Sequence, residues 1–146
     1  MRIVGFSLTK SSIEKIKELE GKFKVTSQID LKDVKEEKAS PVQGQDVVRF
    51  DFTYNINYEP DFAKVNFNGF ITAIVDKKET KNIIDNWKKN KSVVSDDKMN
   101  MFNLIFQKCN IKALALEEDH GLPPHIRLPT LKAEEANTSS KTSYTG

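Results

Sequence analysis

The stretch VVRFDFTYNINYEPDFAKVNFNGFITAIVD, residues 47–76, decides the fold. Val48, Phe50, Phe52, Tyr54, Ile56 and Tyr58 alternate without exception with Arg49, Asp51, Thr53, Asn55 and Asn57. Successive side chains of a strand point to opposite faces, so this period of two predicts a long strand with one aromatic face buried and the other wet. Glu59, Pro60 and Asp61 supply turn chemistry, because proline presets its own backbone dihedral and the acidic neighbours favour turn geometry. The chain then returns as a second strand with Ala63, Val65, Phe67, Gly69, Ile71, Ala73 and Val75 on one face. Its other face changes halfway, from Lys64, Asn66 and Asn68 to Phe70, Thr72 and Ile74. The second half is therefore apolar on both sides and requires a cover.

Toward the N-terminus, Val4, Phe6 and Leu8 alternate with Ile3, Gly5 and Ser7, a short strand apolar on both faces. The following KSSIEKIKELEG, residues 10–21, has only Ile13, Ile16 and Leu19 as an apolar face, and reads as a loop or irregular helix. Phe23, Val25, Ile29 and Leu31 at odd positions predict another half-buried strand. DVKEEKASPVQGQD, residues 33–46, mixes charges with a proline and a glycine, and reads as a connection.

Toward the C-terminus, Lys78 to Asn90 carries Ile83, Ile84 and Trp87 at helical spacing. Ser95 or Asp96 is placed to cap a second helix running to about Asp119, about 33 Å at 1.5 Å per residue. That helix puts Met99, Phe102, Phe106, Cys109, Ala113 and Leu116 on one stripe, which Met101, Leu104, Ile105, Ile111 and Leu114 broaden. A helix apolar nearly all round is buried in a large core or paired with another molecule, and a chain of 146 residues has no large core. Self-association is the better expectation. Gly121 is a left-handed stop, and Pro123 and Pro124 prevent the helix from resuming. From residue 133 onward the chain is polar and small, with too little apolar surface to offset its ordering entropy, so residues 1–132 are expected to form one domain and 133–146 a disordered tail.

With 23 basic against 21 acidic residues the net charge is only +2, so charge gives no support to sequence-independent nucleic-acid binding. Cys109 is the single cysteine, and it reads as a small buried hydrophobe in a reducing cytoplasm. Neither a signal peptide nor a run of about 18 apolar residues is present, so no membrane insertion is expected. His120 and His125 lie near Glu117, Glu118 and Asp119, but a metal needs ligands converging at about 2.0 to 2.2 Å, and prolines separate these histidines. The residue-level reading places His120 favourably near the helix C-terminus and makes His125 a surface residue. No serine has a nucleophile's context and no glycine-rich loop resembles a phosphate cradle, so no enzymatic activity, metal or cofactor is expected. The lysines around Trp87 suggest contact with RNA or anionic lipid, although a solvated amphipathic face with the indole packed inward accounts for them more simply.

Taken in order, FNGFITAI (67–74), FNLIFQKCNIKALAL (102–116) and GLPPHIRLP (121–129) give a layout that resembles the SecB family of protein-export chaperones. The resemblance covers roughly residues 1–131, and it is the order and spacing of the three motifs that carry it. It implies an α+β fold, a four-stranded antiparallel sheet with helices packed on one face, assembled as a homotetramer, a dimer of dimers, through the long helices. It also implies a groove beside the long helix and its exit segment that holds unfolded or precursor polypeptides. Phe70, Ile74, Phe102, Phe106, Leu122, Pro123, Ile126 and Leu128 are expected to contact such clients, and Met101, Ile105, Ile111 and Leu114 to form the oligomer interface. Family members usually have a second helix after the proline segment, whereas KAEEA offers barely a turn here. Client holding, independent of ATP, is the activity carried over. The alternative is a non-enzymatic subunit docking on a ribosomal or RNA-processing assembly through the basic helix. A ligand pocket on the face of Phe50, Phe52 and Tyr54 ranks third.

Overall fold

The computed structural model describes residues 1–37, 43–131 and 133. Four strands, β1 (Arg2–Lys15), β2 (Lys24–Glu36), β3 (Gln45–Glu59) and β4 (Ala63–Asp76), are followed by two helices, α1 (Lys77–Asn90) and α2 (Ser95–Asp119). The strands form one antiparallel sheet in the order β1-β4-β3-β2. β3 and β4 occupy its centre, as their doubly apolar and aromatic patterns require.

The register aligns Phe50 with Ile71, Phe52 with Gly69 and Tyr54 with Phe67, so the even residues of β3 and the odd residues of β4 share one face. All of them, from Val48 to Tyr58 and from Ala63 to Val75, are buried. Gly69 is fixed by close approach, since a Cβ there would lie 2.9 Å from the Phe52 ring and collide with the Ser7 carbonyl oxygen. Both helices pack on this face, adding Trp87, Val93, Met101, Ile105, Cys109 and Ala113 to one continuous core. On the opposite face Asn55 pairs with Asn66, and the Arg49 guanidinium lies 3.8 Å from the centre of the Phe70 ring.

Two expectations fail for one physical reason. Residues 10–15 are neither loop nor helix but the second half of β1, paired with β4 as far as Lys15 opposite Ala63. Register shifts between Ile3 and Gly5 and between Leu8 and Lys10 reset the alternation, so that Leu8, Ser11 and Ile13 face the core together. A bulge inserts one residue into one strand and inverts the parity of everything after it. β2 likewise runs on to Glu36 through a shift between Leu31 and Asp33, which turns Val34 inward where a polar connection was expected. What lies between residues 37 and 43, and the expected disordered tail beyond residue 133, fall outside the described residues.

The helices begin one residue from where the sequence placed them. α1 starts at Lys77, and its Trp87 points into the core as the simpler reading requires. α2 starts at Ser95, so Val94 holds the N-cap position without a side-chain cap, and Asp96 and Asp97 lie in the first turn, where acidic groups face the positive end of the helix.

Candidate functional site

The inward row of α2 is Met101, Ile105, Cys109, Ala113 and Glu117, every fourth residue and each nearly inaccessible. It differs from the expected stripe, leaving Met99 at 62% and Phe106 at 39% exposure. Phe106 sets its ring edge against Tyr54, centroids 5.6 Å apart. The last member of the row is a carboxylate, and the chain beyond the helix is built around it.

Gly121, at φ 67°, ends α2 in the left-handed conformation that only glycine adopts without cost. The Leu122 amide then donates to the Glu117 carbonyl at 2.8 Å, and the Leu122 side chain is 5% exposed in the core. The Tyr58 hydroxyl donates to the Pro123 carbonyl. The His125 amide donates to Glu117 Oε1 at 3.0 Å, while His125 Nδ1 sits 2.9 Å from Oε1 and 2.8 Å from Oε2. His125 Nε2 lies 2.8 Å from Asn110 Oδ1, which also accepts the Tyr54 hydroxyl at 2.8 Å. Both Glu117 and His125 have side chains 1% exposed. His125 is therefore no surface residue; Glu117 draws it under the exit segment. His120, by contrast, caps its own helix, with Nδ1 2.8 Å from the Leu116 carbonyl. Burial first, and then the nearby Glu117 charge, push the Tyr58 hydroxyl pKa up, and burial raises that of Tyr54 to about 12.

Between α2 and this segment opens a groove of about 350 Å³ lined by Leu114, Glu117, Glu118, Leu122, Pro124 and Leu128. Of the exit segment's apolar side chains, Ile126 is 39%, Leu128 46% and Leu131 61% exposed. The residues named from sequence thus divide. Phe106, Pro123, Ile126 and Leu128 lie along α2 and its exit with accessible apolar surface. Leu122 lies there too, but as a core anchor. Phe70 and Ile74 stand on the opposite face of the sheet, because even residues of β4 point away from the helices. Phe102 is half-buried beneath Lys98 and lines a separate recess with Ile29, Leu31 and Val93. Of the expected interface residues, Met101 and Ile105 are fully enclosed in the core of the chain itself and have no surface to offer a partner. Ile111 is 73% exposed, and Leu114 is half-buried in the groove wall.

Glu117, Asn110, Tyr58 and His125 were missed as a unit. One signal was available: Glu117 continues the four-residue spacing of the buried row, and a buried acid demands a partner. The sequence does not show that the partner comes eight residues later, beyond two prolines.

Among the described residues no cluster of three or more potential metal ligands occurs, and no helix is long and apolar enough to cross a membrane. No family model matches the chain, and no curated protein matches it by sequence. Among solved structures it is similar to the Mycobacterium tuberculosis SecB-like chaperone Rv1957 in complex with a ChAD peptide from the HigA1 antitoxin, with a TM-score of 0.51 over 90% of each chain at 15% sequence identity. The sheet order, the two helices on one face and this correspondence along nearly the whole length agree: the chain has the SecB-like fold.

Proposed function

We propose that the protein is an ATP-independent holdase that captures unfolded polypeptide segments in the groove between α2 and residues 121–131. The observation that carries this reading is the accessible apolar surface of Phe106 on α2 and of Ile126, Leu128 and Leu131 on its proline-stiffened exit, on a SecB-like fold. Prolines withhold backbone donors and prevent helix, so the segment keeps its leucine and isoleucine side chains presented. Affinity then comes from apolar burial, about 25 cal/mol per Å², which is non-directional and tolerates many sequences. That the similar chaperone was solved with a peptide bound supports polypeptide as the ligand class.

Self-association belongs to the same reading. Ile111, 73% exposed on α2, is apolar surface of the kind a second copy covers. A dimer of dimers through the long helices is the proposed assembly, with Met101 and Ile105 removed from its interface.

The test is suppression of aggregation of a chemically denatured protein, with protection reaching its limit near one binding unit per client. A folded sample that gives no protection refutes the reading. Docking through the basic helix predicts instead an affinity that collapses with salt, which apolar capture does not.

A further inference from the structure

We propose that His125 and Glu117 are positioning residues of the groove: the tether between them bends the exit segment at residues 125–126 and turns Leu128 back toward Leu114. The role in capture rests on the holdase reading; the bend itself stands on geometry.

In a straight extended chain every second side chain shares a face, so Pro124, Ile126 and Leu128 would point the same way, with Leu128 about 13 Å beyond Pro124. The segment departs from that pattern. The chain bends at 125–126. Pro124 and Leu128 both line the groove, together with Leu114 from α2, whereas Ile126 between them does not. The bend therefore sets Ile126 aside and brings Leu128 back to the groove wall.

The cause lies at the bend. Beyond the Leu122 amide, no backbone-to-backbone hydrogen bond among the described residues engages the segment, so its course is set by side-chain contacts. Glu117 belongs to the enclosed row of α2 and cannot turn to water, and a buried acid requires a partner. His125 comes to it. One residue brings two donors to a single carboxylate: the backbone N–H donates to Oε1 at 3.0 Å, and ring Nδ1–H lies 2.9 Å from Oε1 and 2.8 Å from Oε2. A neutral ring supplies both, so the tether needs no charge on the imidazole. Nε2 ends 2.8 Å from Asn110 Oδ1, which is itself bonded to the Tyr54 hydroxyl of β3.

Upstream, the segment is already fixed by Leu122 in the core and by the Tyr58 hydroxyl on the Pro123 carbonyl. Downstream, residues 126–131 are exposed. His125 is thus the last fixed point before Leu128 and determines the direction in which the chain leaves it. Pulling its side chain inward to 1% exposure is what turns the following residues over the groove.

The experiment uses the intact chain, with a reduced, carboxymethylated and permanently unfolded protein as client. In the natural chain Leu128→Ala weakens binding roughly fivefold. In His125→Ala and Glu117→Met backgrounds the same truncation costs less than about twofold, because Leu128 no longer faces the groove. Gly69→Ala weakens the sheet away from the segment and keeps the full factor, so lost stability alone does not imitate the effect. An equal Leu128 factor in every background overturns the proposal. Without any client, nuclear Overhauser contacts between the Leu114 and Leu128 methyl groups are expected in the natural chain and are lost in both tether variants. Contacts absent from the natural chain, or persisting in the variants, overturn it as well. Should neither variant fold, the natural chain decides alone: the His125 amide should exchange at least about tenfold more slowly than that of Arg127, and an equal rate denies the tether. Contacts that vanish in the variants while the natural chain binds no unfolded protein uphold the bend and refute the holdase reading instead.

Discussion

Leu122 and Leu128 lie six residues apart in the exit segment, and truncating each separates folding from capture. Leu122 is 5% exposed and Leu128 46%. Leu122→Ala removes a fully buried side chain and leaves a cavity bounded by the core, at a cost of about 2 to 5 kcal/mol. For a chain of this size each kcal/mol moves the midpoint by roughly 3 to 5 °C, so a loss of about 6 to 25 °C is expected. Leu128→Ala removes a side chain that has already kept about half its surface in water and opens no closed cavity. Full burial of a leucine is worth about 1.5 to 3 kcal/mol, so half of it amounts to about 1 kcal/mol, or a few degrees. Under the proposed holdase activity, the exposed half is what a client covers. Its loss costs about another 1 kcal/mol of binding, roughly fivefold in Kd. Thermal unfolding by circular dichroism and titration of a fluorescent, permanently unfolded protein read the two quantities. The reasoning fails if Leu128→Ala leaves client affinity unchanged, or if Leu122→Ala costs less than about 1 kcal/mol.

Further outcomes follow from other contacts. Gly69→Ala forces a Cβ against the Ser7 carbonyl and the Phe52 ring, and is expected to destabilise by about 1 to 3 kcal/mol in a denaturant titration, with β1 detaching first by hydrogen exchange. Cys109 is inaccessible and its thiol is raised to about 11, so a disulfide reagent at mildly alkaline pH should modify it only after denaturant unfolds the chain; rapid labelling of the folded protein contradicts the packing. Tyr54 and Tyr58 are both raised above the ordinary 10.0, so the stability they contribute is complete below that value and lost as pH climbs through their folded values. The midpoint should therefore drop steeply above about pH 10, and less steeply in Tyr54→Phe, as scanning calorimetry across alkaline pH will show. Tyr58→Phe deprives the Pro123 carbonyl of its donor and should raise amide exchange across residues 121–125 while the sheet is unaffected.

The central hairpin was legible because its alternation is unbroken from Val48 to Val75, apart from the turn, and the register follows from that turn. The long helix was legible in extent, from its apolar content and the glycine that stops it. Which of its faces turns inward was not, because Met99, Met101, Phe102, Ile105 and Phe106 leave more than one stripe equally apolar, and only packing against the sheet selects among them. β1 and β2 were read too short because bulges after Leu8 and Leu31 break the parity on which strand reading depends. Of the site, the proline segment and its half-exposed isoleucine and leucine could be named from sequence. The polar anchorage beneath it could not, since Tyr58, Asn110, Glu117 and His125 converge only after the hairpin, the helix and the exit have folded against one another.

The four-residue spacing of the enclosed row on α2 also bears on how many neighbours the helix can have. At 3.6 residues per turn each step of four advances about 40° around the axis, so from Met101 to Glu117 the sheltered side swings through about 160°. The early turns are sheltered from one flank, and the last turn from another, by the returning proline segment. Surface left to solvent winds around the rod with it, and Met99 and Ile111 point some 120° apart. No single flat companion reaches both ends of such a spiral, so in the proposed assembly a sister molecule and a captured chain can share one helix without competing for the same side.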